Sequence, residues 1–285
     1  MLERMASQVH HRDTLKRLAA ALEQPDDKVN LVLAALLVAR LDNEELDVAA
    51  YEAEVSRLAG DVKRTLGNDA TPRDKLSALD HYLFAENGFH GSRGDYYNRS
   101  NSYLNEVLDD REGLPITLSV LYMELARCLG VKVEGVALPG HFVVCSMLPG
   151  EKPQLIDVYE GAKPLTREQA AEKALGFADA PLGEEQLQPV KKHAIVERML
   201  HNLLGVANRE HDTAAMLRYV DAIVTISPAS AQDRLMRAVL LYGAGRPTEA
   251  RQDTAWLLEN EPPEIDPDKV RELHGVLERA ENSGQ

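Results

Sequence analysis

The chain has 285 residues, with 46 Asp or Glu and 32 Lys or Arg, so its formal net charge is −14. This acidic balance argues against non-specific nucleic-acid binding, which needs cations to release phosphate counterions, and against attraction to anionic membranes. Hydrophobic residues make up 44% of the chain, so it can bury ordinary cores. Aromatic residues make up only 5%, which weakens interpretations that need an aromatic stacking platform.

Residues 1–87 show only helical patterns, apart from a polar start. Residues 1–13 carry mixed charge and lack the apolar stretch of a targeting signal. Helices are predicted from Thr14, over residues 27–41 and over residues 47–66, because apolar residues recur there every three or four positions. We therefore expect an N-terminal helical region, 1–87, packed on a core.

Two further signals belong to the same region. The sequence Thr71-Pro72-Arg73-Asp74 predicts a helix start, since Thr caps a helix and Pro suits its first position. The longest apolar run, residues 31–39, has nine residues, whereas a membrane span needs about 20. We expect a cytoplasmic protein without a membrane segment.

Strand patterns are almost confined to residues 88–180. A glycine-rich loop with aromatic and charged residues is followed by a short predicted helix near 102–109. Another helix opens at Gly113-Leu114-Pro115 and reaches Cys128. Three strands are predicted, and Pro-Gly pairs mark the turns between them. They cover residues 131–138, 141–147 and 154–158. The predicted fold class is α+β, mostly α, with a small antiparallel sheet.

Residues 189–285 return to helical patterns and contain a weak repeat. Ser227-Pro228 precedes Glu261-Pro262 by 34 residues, and each stretch reads as helix, turn, helix and Pro. A helix pair with a 34-residue period is typical of tetratricopeptide repeats. We predict a tetratricopeptide-like helical domain over 189–285. Two unrelated helical hairpins are the alternative interpretation.

His141 and Asp157 are the first candidates for chemistry. His141 heads one predicted strand and Asp157 ends the next, so their side chains should lie nearly opposite each other in a hairpin. A carboxylate beside an imidazole fixes the ring tautomer and raises its basicity. The matching nucleophile would stand at the start of the Pro115 helix, where the helix dipole lowers the pKa of a thiol.

No cysteine occupies that helix start. Cys128 lies at the opposite end of the helix, and Cys145 lies about 13 Å beyond His141 along a strand. Thr117 and Ser119 are hydroxyl substitutes of a kind common on such helices. Two cysteines are too few for a disulfide scaffold or a cysteine zinc site, and no phosphate-binding glycine motif is present. We expect neither a metal nor a cofactor.

A longer block within residues 88–142 resembles the SirB-type transglutaminase-like proteins. It consists of Phe89-His90-Gly91, Tyr96-Tyr97, the runs 101–108 and 111–122, and Leu138-Pro139-Gly140-His141-Phe142. The resemblance implies a degenerate transglutaminase-like, papain-like core followed by tetratricopeptide-like helices.

The resemblance also implies what the site has lost. In active members of the wider family a Cys opens the core helix, and a His and an Asp follow on adjacent strands. By position, His141 and Asp157 match the last two, while the Cys slot falls near Pro115-Ile116; the SirB type generally lacks that Cys. The sequence also departs from the family pattern at Val158-Tyr159-Glu160-Gly161.

Binding residues are predicted around the glycine-rich loop. Arg and Tyr are favoured at binding hot spots, and Asn contributes hydrogen bonds. The candidates are Arg93, Tyr96, Tyr97, Asn101 and His141. The alternative is structural: a packed loop, a satisfied strand-start histidine and an aspartate that caps a turn.

Three functions fit these patterns. The first is a non-catalytic protein- or peptide-binding, regulatory module without nucleic-acid or membrane partners. The second is an amide hydrolase whose His141/Asp157 dyad activates water or a hydroxyl. In the third, a regulatory subunit, the core merely scaffolds the tail helices.

Overall fold

A computed structural model describes residues 2–177 and 181–283 of the chain. The predicted domain boundary at residue 180 and the terminal residues 1, 284 and 285 lie outside this part. The chain separates into two compact units, Met1–Met199 and Leu200–Gln285. The boundaries predicted from sequence, 1–87, 88–180 and 189–285, stay predictions.

Twelve α-helices and six short strands are present in the described residues. The helices are α1 (Leu2–Leu22), α2 (Leu31–Ala39), α3 (Val48–Thr65), α4 (Pro72–Asp80), α5 (Leu104–Asp110), α6 (Pro115–Cys128), α7 (Arg167–Ala174), α8 (Lys192–Arg209), α9 (Thr213–Ile226), α10 (Ala231–Gly243), α11 (Pro247–Asn260) and α12 (Pro267–Ser283). The strands are β1 (His90–Gly91), β2 (Glu112–Gly113), β3 (Val133–Leu138), β4 (His141–Ser146), β5 (Gln154–Asp157) and β6 (Lys163–Leu165).

The predicted fold class, mostly α with a small antiparallel sheet, is confirmed. Strands β3, β4, β5 and β6 pair in that order, all antiparallel, and the three predicted strands are the first three of them. Strand β6 was not predicted, because it has only three residues and contains Pro164. A two-residue parallel pair, β1 with β2, was also missed.

Local hydrogen bonds set the helix starts of the first unit. The helix start predicted at Thr71 is confirmed, and there Thr71 and Asp74 form a capping box at the start of α4. The second helix begins later than predicted, at Leu31, because Asn30 accepts a hydrogen bond from the Leu33 amide and caps it. The first helix begins earlier than Thr14 and includes Leu2.

Helix α6 lies at the centre of the first unit, and its residues 115–123 are all buried. A helix buried on every side is a core helix, because no face is left for solvent. Its start is held by Asn101, whose carbonyl accepts from the Leu114 amide at 3.1 Å and from Thr117 Oγ1 at 2.6 Å. The loop that leads to residue 101 is thereby fixed against the helix start.

The second unit is helical, as predicted. Helices α9 and α11 begin at Thr213 and Pro247 and end at Ile226 and Asn260, so both ends are offset by 34 residues. A buried charge network joins this unit's helices. The fully buried Asp253 of α11 accepts from Arg234 at 2.8 Å and from Arg237 at 2.8 Å, both on α10.

In the part of the chain that the structure describes, none of the helices combines the length and the apolar character needed to cross a bilayer.

Candidate functional site

The β4–β5 hairpin brings His141 and Asp157 together, as the sequence predicts. Val144 pairs with Ile156, so the first residue of β4 and the last residue of β5 lie within two positions of register. His141 Nε2 is 3.0 Å from Asp157 Oδ2. The Asp157 side chain is fully buried and that of His141 is 12% exposed. A buried carboxylate therefore orients the ring.

Asp157 has two further partners that hold it ionised. Lys173 Nζ of α7 lies 2.9 Å from the same Oδ2, and the Glu160 amide donates to Oδ1 at 3.3 Å. Burial alone raises the pKa of Asp157, but the hydrogen bonds and charges of His141 and Lys173 outweigh it and leave the pKa below its ordinary value.

The ionised carboxylate also fixes the imidazole tautomer. A carboxylate only accepts hydrogen bonds, so a neutral His141 carries its proton on Nε2 and keeps the lone pair on Nδ1. Within residues 2–177 and 181–283, no side chain or backbone group hydrogen-bonds to that Nδ1. Nδ1 is thus the ring atom that is available to a ligand or a proton.

Tyr159 covers the imidazole from the loop side. Its ring stands edge-on to His141, with 6.0 Å between centroids, and its hydroxyl donates to the Ser92 carbonyl. The Arg93 guanidinium lies 5.0 Å from the centre of the Tyr159 ring and 2.7 Å from Glu160. A Cβ on Gly91 would come within 2.4 Å of the Tyr159 ring, so the cover requires glycine at this position.

The predicted binding residues divide into two groups. Tyr96 packs edge-on against Tyr97 at 5.3 Å and against Tyr159 at 6.4 Å, and Tyr96 and Tyr97 are 40% and 54% exposed. Tyr96 and Arg93 thus reach His141 only through Tyr159, which packs against the imidazole. Asn101 is buried instead, and its amide donates to Ser92 Oγ at 3.1 Å and to the Asp95 carbonyl at 2.8 Å. Asn101 braces the loop from below.

Neither thiol is placed for acyl transfer. Cys145 lies in an apolar cluster, 3.9 Å from the Ser146 carbonyl, and Cys128 Sγ is 3.7 Å from the Glu124 carboxylate. Burial, followed by an acidic neighbour, raises the pKa of both thiols. No hydrogen bond joins either sulfur to His141 in the described part of the chain.

The hydroxyls near the start of α6 lie inside the core. Thr117 donates its hydroxyl to the Asn101 carbonyl, and Ser119 is fully buried. Among the described residues, no group of three or more His, Cys, Asp or Glu side chains is arranged to hold a metal ion.

Lys173 and Arg198 contribute to the site but were not found from the sequence. Lys173 reaches Asp157 from α7, and Arg198 Nη2 of α8 donates to the His141 carbonyl at 2.8 Å. Each lies in a helix with several charged residues, where a basic residue is ordinary, so no local pattern marks it. The sequence indicated Tyr159 only weakly, because this residue lies in the segment that departs from the family pattern.

The family follows from comparison with known proteins. A model of the transglutaminase-like superfamily matches residues 49–201, which include α3 apart from its first residue, α4 to α7, the whole four-stranded sheet, and His141 and Asp157. The chain belongs to this superfamily, which confirms the transglutaminase-like part of the resemblance.

Individual relatives extend the match. A UPF0162 protein of Xylella fastidiosa (strain 9a5c) is 30% identical, and the alignment covers 86% of this chain and 89% of the relative. A UPF0162 protein of Vibrio cholerae is 26% identical, over 71% of this chain and 75% of the relative. Human F-box only protein 21 is 29% identical, over 81% of this chain but 41% of the relative. No solved structure matches the chain.

The substitution Gly91→Ala tests the cover over His141. The added methyl group displaces the Tyr159 ring, so we expect His141 to react several-fold faster with diethyl pyrocarbonate, measured by peptide mapping. We also expect a loss of about 1–3 kcal/mol in the free energy of unfolding. Gly94→Ala is the matched control, since nothing lies within 4 Å of its Cβ. Equal His141 reactivity in the two variants contradicts the cover.

The substitution Asp157→Asn tests the buried charge. The pKa of Asp157 is lower in the folded state than its ordinary value of about 3.9. The ionised carboxylate therefore stabilises the fold fully at pH values above about 3.9, and this stabilisation is lost as the pH falls through the lowered folded-state pKa. We expect Asp157→Asn to cost about 2 kcal/mol in urea unfolding at about pH 7, and less at about pH 3. The exposed Asp69→Asn should show no such change. If the loss in free energy of unfolding is the same at both pH values, Asp157 is not the buried ionised group described here.

Proposed function

We propose that this protein is a non-catalytic, SirB-type transglutaminase-like protein that binds a protein or peptide segment in the cytoplasm. The proposal depends on one combination of features: the His141–Asp157 pair is present, Tyr159 covers the imidazole, and among the described residues neither cysteine hydrogen-bonds to it. The pair keeps the His and the Asp that the resemblance implies, while the Tyr159 ring stands edge-on to the imidazole. A His–Asp pair without a reactive thiol beside it is suited to binding a ligand and not to acyl transfer.

The missing step is the attack of a thiolate. Acyl transfer by this class needs an activated thiol within hydrogen-bonding reach of the imidazole. Cys145 is enclosed by apolar side chains, and Cys128 lies beside a carboxylate that disfavours its ionised form. Both environments work against thiolate formation, which supports a pseudoenzyme.

The proposed binding surface is formed by Tyr96 and Tyr97 of the glycine-rich loop. Tyr96 and Tyr97 present aromatic surface to solvent, and the buried Asn101 holds the loop beneath them in one geometry. Aromatic side chains on a braced loop bind with a small loss of conformational entropy. This favours a peptide segment as ligand, since the acidic chain disfavours nucleic acid and anionic membranes.

The tail is the second candidate surface. The 34-residue offset between α9 and α11 supports tetratricopeptide-like repeats, whose helices commonly form binding surfaces. On α10, Met236, Val239 and Tyr242 are exposed at helical spacing. A regulatory subunit whose core only scaffolds these helices would bind there.

An amide hydrolase is the alternative, and one observation favours it. Asp157 holds Nε2 of His141, so Nδ1 keeps its lone pair and can accept a proton from water. This function predicts a hydrolytic activity that His141→Ala abolishes while the fold stays intact.

Matched tyrosine variants test the proposal. Peptides that bind the full chain are selected from a random phage-displayed library, and their affinity is compared between Tyr96→Ala and Tyr242→Ala. The two tyrosines are 40% and 41% exposed, so similar apolar area is removed in each case. We expect Tyr96→Ala to weaken binding about tenfold or more, as for a hot-spot residue, and Tyr242→Ala to leave it unchanged.

Three outcomes contradict the proposal. The absence of any selected peptide argues against a peptide-binding module. The reverse pattern, loss with Tyr242→Ala alone, places binding on the tail helices. Cleavage of the bound peptides by wild type but not by His141→Ala establishes the hydrolase.

A further inference from the structure

Arg198 stands out among the charged residues around His141. It lies on α8 within the first unit, and its Nη2 donates to the His141 carbonyl at 2.8 Å. Its guanidinium carbon is 5.6 Å from the centre of the Phe142 ring. The side chain is thus held by a carbonyl and an aromatic ring, neither of which neutralises its charge.

The neighbouring charges are already paired with one another. Arg93 is 2.7 Å from Glu160, and Lys173 is 2.9 Å from Asp157. Within residues 2–177 and 181–283, no carboxylate oxygen lies within 4.0 Å of Arg198. An arginine remains protonated in proteins, so Arg198 carries a positive charge that no described carboxylate pairs with directly.

The unpaired charge is partly desolvated yet still accessible. Burial lowers the pKa of Arg198, and among the described residues only the Tyr96 phenol opposes this shift. Its Nε and Nη1 groups make no hydrogen bond to described residues, and neither is sealed from solvent. Charge-assisted hydrogen bonds gain strength when the donor has lost water, so a ligand oxygen would be bound well here.

Tyr96 lies in the same neighbourhood. Burial raises the pKa of the Tyr96 phenol, and the charge of Arg198 acts in the opposite direction. Tyr96 also packs against Tyr159, which packs against His141. An aromatic surface and a cationic donor thus border one site.

We propose that Arg198 binds a single carboxylate group of the peptide ligand, either its C-terminus or an acidic side chain. This inference rests on the proposed peptide-binding function. A planar guanidinium matches a carboxylate in shape and hydrogen-bonding pattern. The single unpaired guanidinium balances a monoanion, whereas a phosphate dianion would bring a second negative charge into a region that already holds Asp157 and Glu160.

Small carboxylates test the site without the peptide ligand. The probes are N-acetyl-phenylalanine, N-acetyl-glutamic acid α-amide and the uncharged N-acetyl-phenylalaninamide. The readout is the Nε–Hε NMR signal of Arg198 in the full chain, assigned by its loss in Arg198→Lys. We expect saturable shifts with one or both carboxylates and none with the neutral amide; which carboxylate acts distinguishes the C-terminus from a side chain.

The selected peptides provide the second measurement. We expect Arg198→Gln to weaken their binding about tenfold or more, and Arg198→Lys to weaken it less because it keeps the charge. Both variants remove the guanidinium that donates to the His141 carbonyl. The difference between their peptide affinities therefore reports the loss of charge and not a change in folding. Arg64→Gln, at an exposed arginine of α3, should bind like wild type.

The outcomes separate this inference from the proposed function. Equal shifts with the neutral amide, or equal binding by the Lys and Gln variants, overturn the carboxylate site while peptide binding stands. If no peptide is selected but carboxylates still shift Arg198, the proposed function fails and the carboxylate site stands.

Discussion

A carboxylate that is wholly removed from solvent must find donors inside the protein, and that constraint falls on Asp157. His141, Lys173 and the Glu160 amide supply them. They come from β4, from α7 and from the turn after β5, so a single buried charge joins three elements around one hairpin. His141 is fixed by this requirement whether or not its imidazole takes part in a reaction, and its retention alone is therefore no sign of catalysis.

On its other side, the imidazole packs against the Tyr159 ring. Tyr159 occupies space that exists only because Gly91 has no side chain, and the Arg93–Glu160 ion pair holds the turn against the loop. Tyr159, with Tyr96 and Arg93 packed against its ring, therefore borders the imidazole. Under the proposed function, this aromatic and cationic surface holds an extended segment of the partner.

The sequence was sufficient where the signals are local. The helix starts at Thr71 and Pro115 and three of the strands were all predicted, and the hairpin followed from its Pro-Gly turn. Contacts between distant segments were not predictable. Arg198 reaches His141 across 57 residues and Tyr159 reaches Ser92 across 67, and no short pattern encodes either contact. Strands as short as β1, β2 and β6 carry too few residues to show a period.

Alkylation of the two cysteines tests most directly whether the site has lost its thiol chemistry. The rates of Cys128 and Cys145 with iodoacetamide are followed by peptide mapping across pH, in wild type and in His141→Ala. Because the pKa of both thiols is raised, we expect both alkylation rates to keep rising above the ordinary thiol pKa of about 8.5, with no effect of His141→Ala. A cysteine whose rate reaches its plateau below about pH 7 and loses it in His141→Ala would reveal a thiolate–imidazolium pair. Such a cysteine would contradict a non-catalytic protein.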